Sequence, residues 1–301
     1  MATEKKRLIV IDGNSLVHRA YHALPPLTTK DGELINAVYG FLLLFFKAVR
    51  ELNPDFIAAT FDLPAPTFRH EKFLAYKATR PKAPDELYNQ LPKVKEILTN
   101  FEVPIFEKEG FEADDVIGTI SKLAPKKQIL PEIETIILSG DLDTLQLVDA
   151  NTKVYTLRKG LKDTILYDEK KVEEKYQGLV PKQLPDFKAL KGDPSDNIPG
   201  VPGIGDKTAI QLIKEFGSLE NLYENLEKDK ILEKIKLSPR FVPLLKEYKE
   251  QAFFSKMLAK IDEKVPIDFD MEKCRWGSYD REKITRLFKK LDFNSLIARL
   301  P

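Results

Sequence analysis

Three apolar runs along the chain each end at a carboxylate. They are Arg7-Leu-Ile-Val-Ile-Asp12, Asp55-Phe-Ile-Ala-Ala-Thr-Phe-Asp62 and Ile133-Glu-Thr-Ile-Ile-Leu-Ser-Gly-Asp141. Short runs rich in β-branched and aromatic residues predict buried strands. Elsewhere the apolar spacing lengthens to that of a helix. Asn14 to Leu24 has it, carries Arg19, and is stopped by Pro25-Pro26. Asn36 to Leu52 is longer and more apolar, which predicts a helix central to the core. Strands alternating with helices predict an α/β fold with a mainly parallel central sheet flanked by helices. In such sheets ligands bind beyond the carboxyl ends of the strands. One aspartate there would be an ordinary turn residue; three on independent strands argue for a site.

Further acids extend the pattern. Phe111-Glu-Ala-Asp-Asp-Val-Ile-Gly places Glu112, Asp114 and Asp115 at the start of a predicted helix. One or two of them would serve as caps and dipole partners, but three within four residues exceed that need. Asp141-Leu-Asp143 leads into a short helix, and Asp193 and Asp196 sit three apart in a loop kept irregular by Gly192 and Pro194. So many carboxylates share a cleft only if cations sit among them. An oxygen-only donor set, without His or Cys, points to Mg²⁺ or Mn²⁺.

Beyond about residue 176 the chain turns helical. Predicted helices cover Pro181 to Lys191, Asp206 to Phe216, Leu219 to Leu226 and Pro239 to Leu258, with a short strand over Pro266 to Asp270 and closing helices from Asp280 to Leu300. The expected units are an α/β domain over 1–175, a helical subdomain over 176–270 and a C-terminal segment over 271–301. Pro202-Gly203-Ile204-Gly205 runs into the helix that opens Asp206-Lys207-Thr208. Glycines before a helix let a phosphate reach its free N–H groups. An NTPase phosphate loop is excluded, because Asp206 separates Gly205 from Lys207-Thr208 and no strand precedes it. Between the second strand and the next helix, residues 64–84 mix Arg69, His70, Lys72, Lys77, Arg80 and Lys82 with Phe68, Phe73 and Tyr76. Basic side chains interleaved with aromatics suit a single nucleic-acid strand.

Composition narrows the class. The 301 residues are 43% hydrophobic and 32% charged, the proportions of a soluble globular protein. The longest apolar run, Phe41 to Phe46, is too short to span a bilayer, and Asp12 interrupts any secretory leader. Cys274 is alone and three histidines are scattered, so cysteine or histidine metal clusters are not expected, and the cytoplasm is the expected location. The net charge is only +1, but the nine acids named above belong to one site. Without them the rest of the chain is basic, as a nucleic-acid partner requires.

These motifs together resemble the 5′-nuclease domains of bacterial DNA polymerases I, within the wider flap-endonuclease family. The resemblance runs from about Leu8 to Leu300. It rests on Ile11-Asp-Gly-Asn-Ser-Leu, Arg19-Ala-Tyr-His-Ala-Leu, Phe61-Asp, Thr67-Phe-Arg-His, Tyr76-Lys-Ala-Thr-Arg-Pro, Glu112-Ala-Asp-Asp, Gly140-Asp-Leu-Asp and the Gly192 to Gly205 loop. It implies a PIN-like fold, a helical arch over about 64–84, and a helix-hairpin-helix (helix-3-turn-helix) subdomain. The implied activity is Mg²⁺- or Mn²⁺-dependent 5′→3′ exonuclease and 5′-flap endonuclease action in replication and repair. Its implied metal ligands are Asp12, Asp62, Glu112, Asp114, Asp115, Asp141, Asp143, Asp193 and Asp196, the first five around one ion and the last four around another. Lys77, Arg80 and Arg19 would act on the scissile phosphate. Arg69, Tyr76, Gly203, Gly205, Lys207 and Thr208 would contact DNA, with a K⁺ ion at the hairpin. The implied partner is a 5′ flap, a nick or a 5′-ended duplex, RNA primer–DNA included, bound by a monomer away from any membrane. Leu142 stands where the family usually has a charged residue, with little expected effect. Polymerases I continue beyond such a domain, so a stand-alone nuclease and one domain of a longer chain are both compatible with the resemblance. A metal-dead DNA-binding paralogue is disfavoured by the complete acid set, and an RNA-directed nuclease by the helix-hairpin-helix.

Overall fold

The computed structural model describes residues 5–124, 132–161, 163–227 and 240–301. Its centre is a six-stranded sheet of order β3-β2-β1-β4-β5-β6. The strands are β1 (Lys6–Asp12), β2 (Phe56–Thr60), β3 (Ile105–Phe106), β4 (Ile133–Leu138), β5 (Thr152–Lys159) and β6 (Asp163–Tyr167). All neighbours pair in parallel except β6, which runs antiparallel to β5. β1 lies in the middle, with β2 on one side and β4 on the other. The strand order reverses there, which opens a crevice above its carboxyl end. Both faces of β1 are covered, which is why its run is continuously apolar instead of alternating.

Helices build the two outer layers. On one face lie α1 (Gly13–Ala23), α2 (Asn36–Leu52) and α5 (Leu91–Asn100), the short α4 (Asp85–Tyr88) and the closing helices α13 (Arg281–Lys290) and α14 (Asn294–Ile297). α2 is buried around most of its circumference, as its composition predicts. It ends at Asn53, whose left-handed backbone (φ 44°) returns its N–H to Val49 O. On the other face α6 (Ala113–Leu123) packs on β1 and β2 and joins a core shared with the helical part. That part comprises α7 (Glu169–Lys175), α8 (Leu184–Lys191), α9 (Asp206–Phe216), α10 (Leu219–Glu227), α11 (Phe241–Glu247) and α12 (Lys249–Ala259). No described helix is long and apolar enough to cross a membrane.

Two expected elements differ. The helix expected from Pro239 to Leu258 breaks at Tyr248, and Pro239 lies outside the described residues. The strand expected over Pro266–Asp270 does not form. Nearby N–H groups are met by side chains of α6: Asp262 donates to Asp115 Oδ1 (2.8 Å) and Val265 to Thr119 Oγ1 (2.9 Å). Val265 and Phe269 fill the core from an irregular segment.

Candidate active site

The carboxyl ends of β1, β2 and β4 bring acids to one crevice. Asp12 ends β1 and caps α1, accepting from the Ser15 N–H (3.0 Å) and the Ser139 hydroxyl (2.6 Å). Asp62 follows β2; its Oδ1 accepts from the N–H of Ala113, the first residue of α6 (2.8 Å). Glu112 caps α6, so Asp114 falls in that helix's first turn. Asp141 follows β4 and caps the 3-10 helix Leu142–Leu147, accepting from the Asp143 N–H (2.9 Å). Asp12, Asp62, Glu112, Asp114 and Asp141 line a cleft of about 1560 Å³ together with His18, Arg19, Lys77 and Arg80. Arg19 is exposed and donates to Gly140 O at 3.2 Å.

A second group lies beside the first. Oxygens of Asp143, Asp193 and Asp196 all fall within 4.8 Å of one another. The loop that carries the last two is closed by glycines. Gly192 (φ 77°) and Gly200 (φ 62°) pass so close that a Cβ on Gly200 would lie 2.2 Å from the Gly192 nitrogen. Asp193 and Ile198 bond each other's backbones across it (2.9 Å in both directions). The loop also clamps the 64–84 segment. Lys77 N–H donates to Asp196 O (3.0 Å), Asn197 Nδ2 to Ala75 O (2.7 Å) and Arg80 Nε to Ser195 O (3.1 Å).

The electrostatics show which anions lack compensation. Burial pushes Asp12 up to about 7, and Asp62 and Asp141 add to it. Burial also raises Asp62, and it raises Asp114 well above the carboxylate range with help from Asp12 and Asp141. Asp143 is pushed up to about 6, although Lys188 offsets part of the cost of burial. At Asp193 burial is outweighed by Lys188 and Ser195, which hold it at about 2. Burial of Glu112 is likewise outweighed by Lys77 (2.6 Å) and Arg69. The raised acids are anions short of positive charge, and every donor is a hard oxygen. That set fits divalent ions of the Mg²⁺ or Mn²⁺ kind.

Four expected roles change. Asp115 is fully buried and faces away from the cleft. Its two oxygens take both arms of the Arg69 guanidinium (2.7 and 2.8 Å), and they also accept from the Glu112 and Asp262 N–H groups. With those lone pairs used, Asp115 is a structural acid and not a metal ligand. Arg69 is 2% exposed, bonded in addition to Leu258 O and Lys260 O, and out of reach of DNA. Tyr76 is 4% exposed, and its hydroxyl donates to Glu112 (3.1 Å), so it also serves the site from within. Asp141 joins the cleft acids as well as the second group, since it lines the cleft and raises Asp12 and Asp114 as it raises Asp143.

The 64–84 segment contains one short helix, α3 (Phe68–Lys72), followed by turns that lie down on the site. Tyr76 packs with Ile198, Leu258 and Phe73, which pins it. Lys77 adopts a left-handed backbone (φ 55°), a strained conformation that the clamp to Asp196 maintains. At the start of α9, Gly203 has φ 81°, while Gly205 is extended and occupies the N-cap without a side-chain cap. Nothing lies within 4 Å of a Cβ on Gly205, Lys207 is exposed and Thr208 is half-buried. The start of α9 is thus uncapped by any side chain and flanked by exposed Gly205 and Lys207, as a phosphate contact requires.

Several site residues escape sequence reasoning. Ser139 and Asn14 orient Asp12 and Asp62. Lys188 contacts Asp143 and lies 2.6 Å from Asp193. Its only signal is a lysine in an otherwise apolar stretch, Phe187-Lys188-Ala189-Leu190, one helical turn before Gly192.

Comparison with known proteins places this geometry. Residues 7–177 match the 5′-3′ exonuclease N-terminal resolvase-like domain, and residues 179–282 match the 5′-3′ exonuclease C-terminal SAM fold. The chain is 42% identical over 301 residues to DNA polymerase I of Bacillus subtilis, covering 99% of this chain and 32% of that protein. It is 40% identical over 296 residues to DNA polymerase I of Bacillus caldotenax, covering 98% and 32%. It thus spans about a third of the length of these relatives. Among solved structures, T5 5′-exonuclease with bound zinc superposes with a TM-score of 0.69 at 21% identity, covering 85% of this chain and 90% of that one. The T5 D15 flap endonuclease in a pseudo-enzyme-product complex with DNA and metal ions gives 0.69 at 20%, covering 86% and 89%. The catalytic core of Rad2 in complex with DNA substrate gives 0.60 at 19%, covering 99% and 93%. These likenesses establish a shared fold.

Proposed function

Since the chain belongs to the 5′-3′ exonuclease family, we propose that its cleft hydrolyses DNA phosphodiesters as a structure-specific 5′ nuclease. The substrates of this reading are 5′ flaps, nicks and 5′-ended duplexes, RNA primer–DNA included, in replication and repair. The observation that carries it is the meeting of five cleft acids with Lys77, Arg80 and Arg19 at one crevice, with a second carboxylate group beside them. Asp12, Asp62, Glu112, Asp114 and Asp141 would hold one divalent ion, and Asp143, Asp193 and Asp196 another. Bound Mg²⁺ or Mn²⁺ would lower the pKa of an attacking water and neutralise charge on the leaving 3′-oxygen.

The chain's own residues supply the rest. Lys77 and Arg80 reach the crevice from the segment that covers it, where their charge suits a phosphate that gains negative charge in the transition state. Arg19 enters from α1. Gly203, Gly205, Lys207 and Thr208 would hold the duplex backbone away from the cut, a contact that positions without reading bases. The protein would act as a monomer in the cytoplasm. The test is a 5′-labelled flap DNA incubated with Mg²⁺. Asp114→Ala should abolish cleavage while flap binding persists. Cleavage by this variant at the parent rate would remove the assignment.

A further inference from the structure

Among the described residues, Lys188 is the one cation placed among the oxygens of the second carboxylate group without reaching into the cleft. It projects from the last turn of α8, with its side chain 16% exposed. Its ammonium contacts Asp143 Oδ1 and lies 2.6 Å from Asp193 Oδ2. Those two acids, with Asp196, form the set whose oxygens converge within 4.8 Å. The remaining oxygen of Asp193 is committed to the Ser195 N–H (2.9 Å) and hydroxyl (2.7 Å). The oxygen that Lys188 takes is therefore the one Asp193 has left to offer a metal.

We propose that Lys188 is a built-in counter-cation that competes with a divalent ion for Asp143 and Asp193 and so weakens metal binding at this group. The inference rests on the metal-dependent reading above. A divalent ion on these oxygens and the ammonium are like charges a few ångströms apart, so one must yield. The ammonium is a compact charge on a flexible four-carbon stem, and it can swing away without moving α8. Among the described residues no ammonium is bonded to Asp12 or Asp114, since the cleft's Lys77 pairs with Glu112 instead. Their ion enters first, and the Asp143–Asp193–Asp196 group fills at higher metal concentration. Between fillings Lys188 holds together two segments, the 3-10 helix Leu142–Leu147 and the Gly192–Gly200 loop, that would otherwise repel.

The experiment is Mn²⁺ binding to the full chain, read by calorimetry and electron paramagnetic resonance, with no DNA present. Lys188→Met keeps the stem and removes the charge. It should tighten the weaker of the two Mn²⁺ equilibria at least tenfold and leave the tighter one within twofold. Lys191→Met removes a charge from the same helix that pairs instead with Asp206 (2.7 Å), and it should change neither. In chelator, Lys188→Met should melt at a lower temperature than the parent and gain more from added Mn²⁺. If Lys188→Met fails to fold, Lys188→Gln is expected to shift the weaker equilibrium in the same direction. Unchanged or weaker Mn²⁺ binding in folded Lys188→Met or Lys188→Gln overturns the competition. An equal shift in Lys191→Met also overturns it, because the effect would then be general charge. Absence of any Mn²⁺ binding by the parent overturns the metal reading itself, a different result from equal binding by parent and variant.

Discussion

Arg69 and Lys77 lie on the same short segment with the same charge, and burial gives them opposite roles. Arg69 forms a fork-to-fork pair with Asp115 in a setting where neither is exposed. Removing one partner of such a pair strands a buried charge, which typically costs about 3–5 kcal/mol. Arg69→Ala should lower stability by that amount in denaturant melts, and Arg69→Lys should restore little of it, since lysine cannot fork. A loss under 1 kcal/mol would contradict the structural role. Lys77 and Arg80 are held at the mouth of the cleft by Glu112 and Asp196. Lys77→Ala and Arg80→Ala should lower single-turnover cleavage by roughly 10²–10³-fold, as for other lost transition-state contacts. Flap affinity should fall far less; equal losses would make them binding residues only. The sequence made these residue types and their spacing legible, and both basic side chains at the cleft were readable from it. It did not reveal that Arg69, Tyr76 and Asp115 face inward. Basic and aromatic residues look alike in sequence whether they meet DNA or a buried acid.

At the scale of elements, the loop from Gly192 to Gly205 joins the second carboxylate group to the start of α9. Its closure depends on Gly200, where a Cβ would collide with the Gly192 backbone and φ is 62°. Gly200→Ala should therefore cost more than the roughly 1–2 kcal/mol of a left-handed alanine. It should also weaken Mn²⁺ binding at Asp193 and Asp196, because both ride on the closed loop. Gly205 is different. Its backbone is extended and has open space around it, so Gly205→Val should leave stability nearly intact and act only by blocking phosphate approach. Lys207→Ala should weaken every duplex substrate alike and reduce the salt slope by about one, leaving single strands almost unchanged. An unchanged slope on duplex would take this loop off the DNA surface. Long periodic elements such as α2 and α9 were legible to the residue. The strand expected at Pro266–Asp270 was not, because the segment leading into it is tied by its Asp262 and Val265 N–H groups to side chains of a distant helix.

Over the whole molecule, the cleft stores electrostatic repulsion that divalent ions would relieve. Burial raises Asp12 to about 7 and Asp143 to about 6, and it raises Asp62 and Asp114 as well. A carboxyl group whose folded pKa exceeds its unfolded value holds its proton more tightly in the native state. Its contribution to stability is complete below the ordinary carboxylate range and is lost as pH rises through the folded value. In chelator, stability should therefore fall between about pH 4 and 7, each tenfold change in proton affinity being worth about 1.4 kcal/mol. Groups held low, such as Asp193 and Glu112, act at a lower pH, where their protonation costs stability. His18, lowered by burial, works against the fall near neutrality, but it is one group against four. With Mg²⁺ or Mn²⁺ present the ions supply the missing charge, and the fall should vanish or reverse. Asp114→Asn removes one of the repelling anions. It should raise the melting temperature at pH 7.5 in chelator while destroying cleavage, so the residue's cost to stability and its use in catalysis separate in one variant. The measurement is melting temperature against pH, with chelator and with metal, for parent and Asp114→Asn. A melting temperature that climbs from pH 4 to 7 in chelator would show that the cleft acids are already compensated without metal.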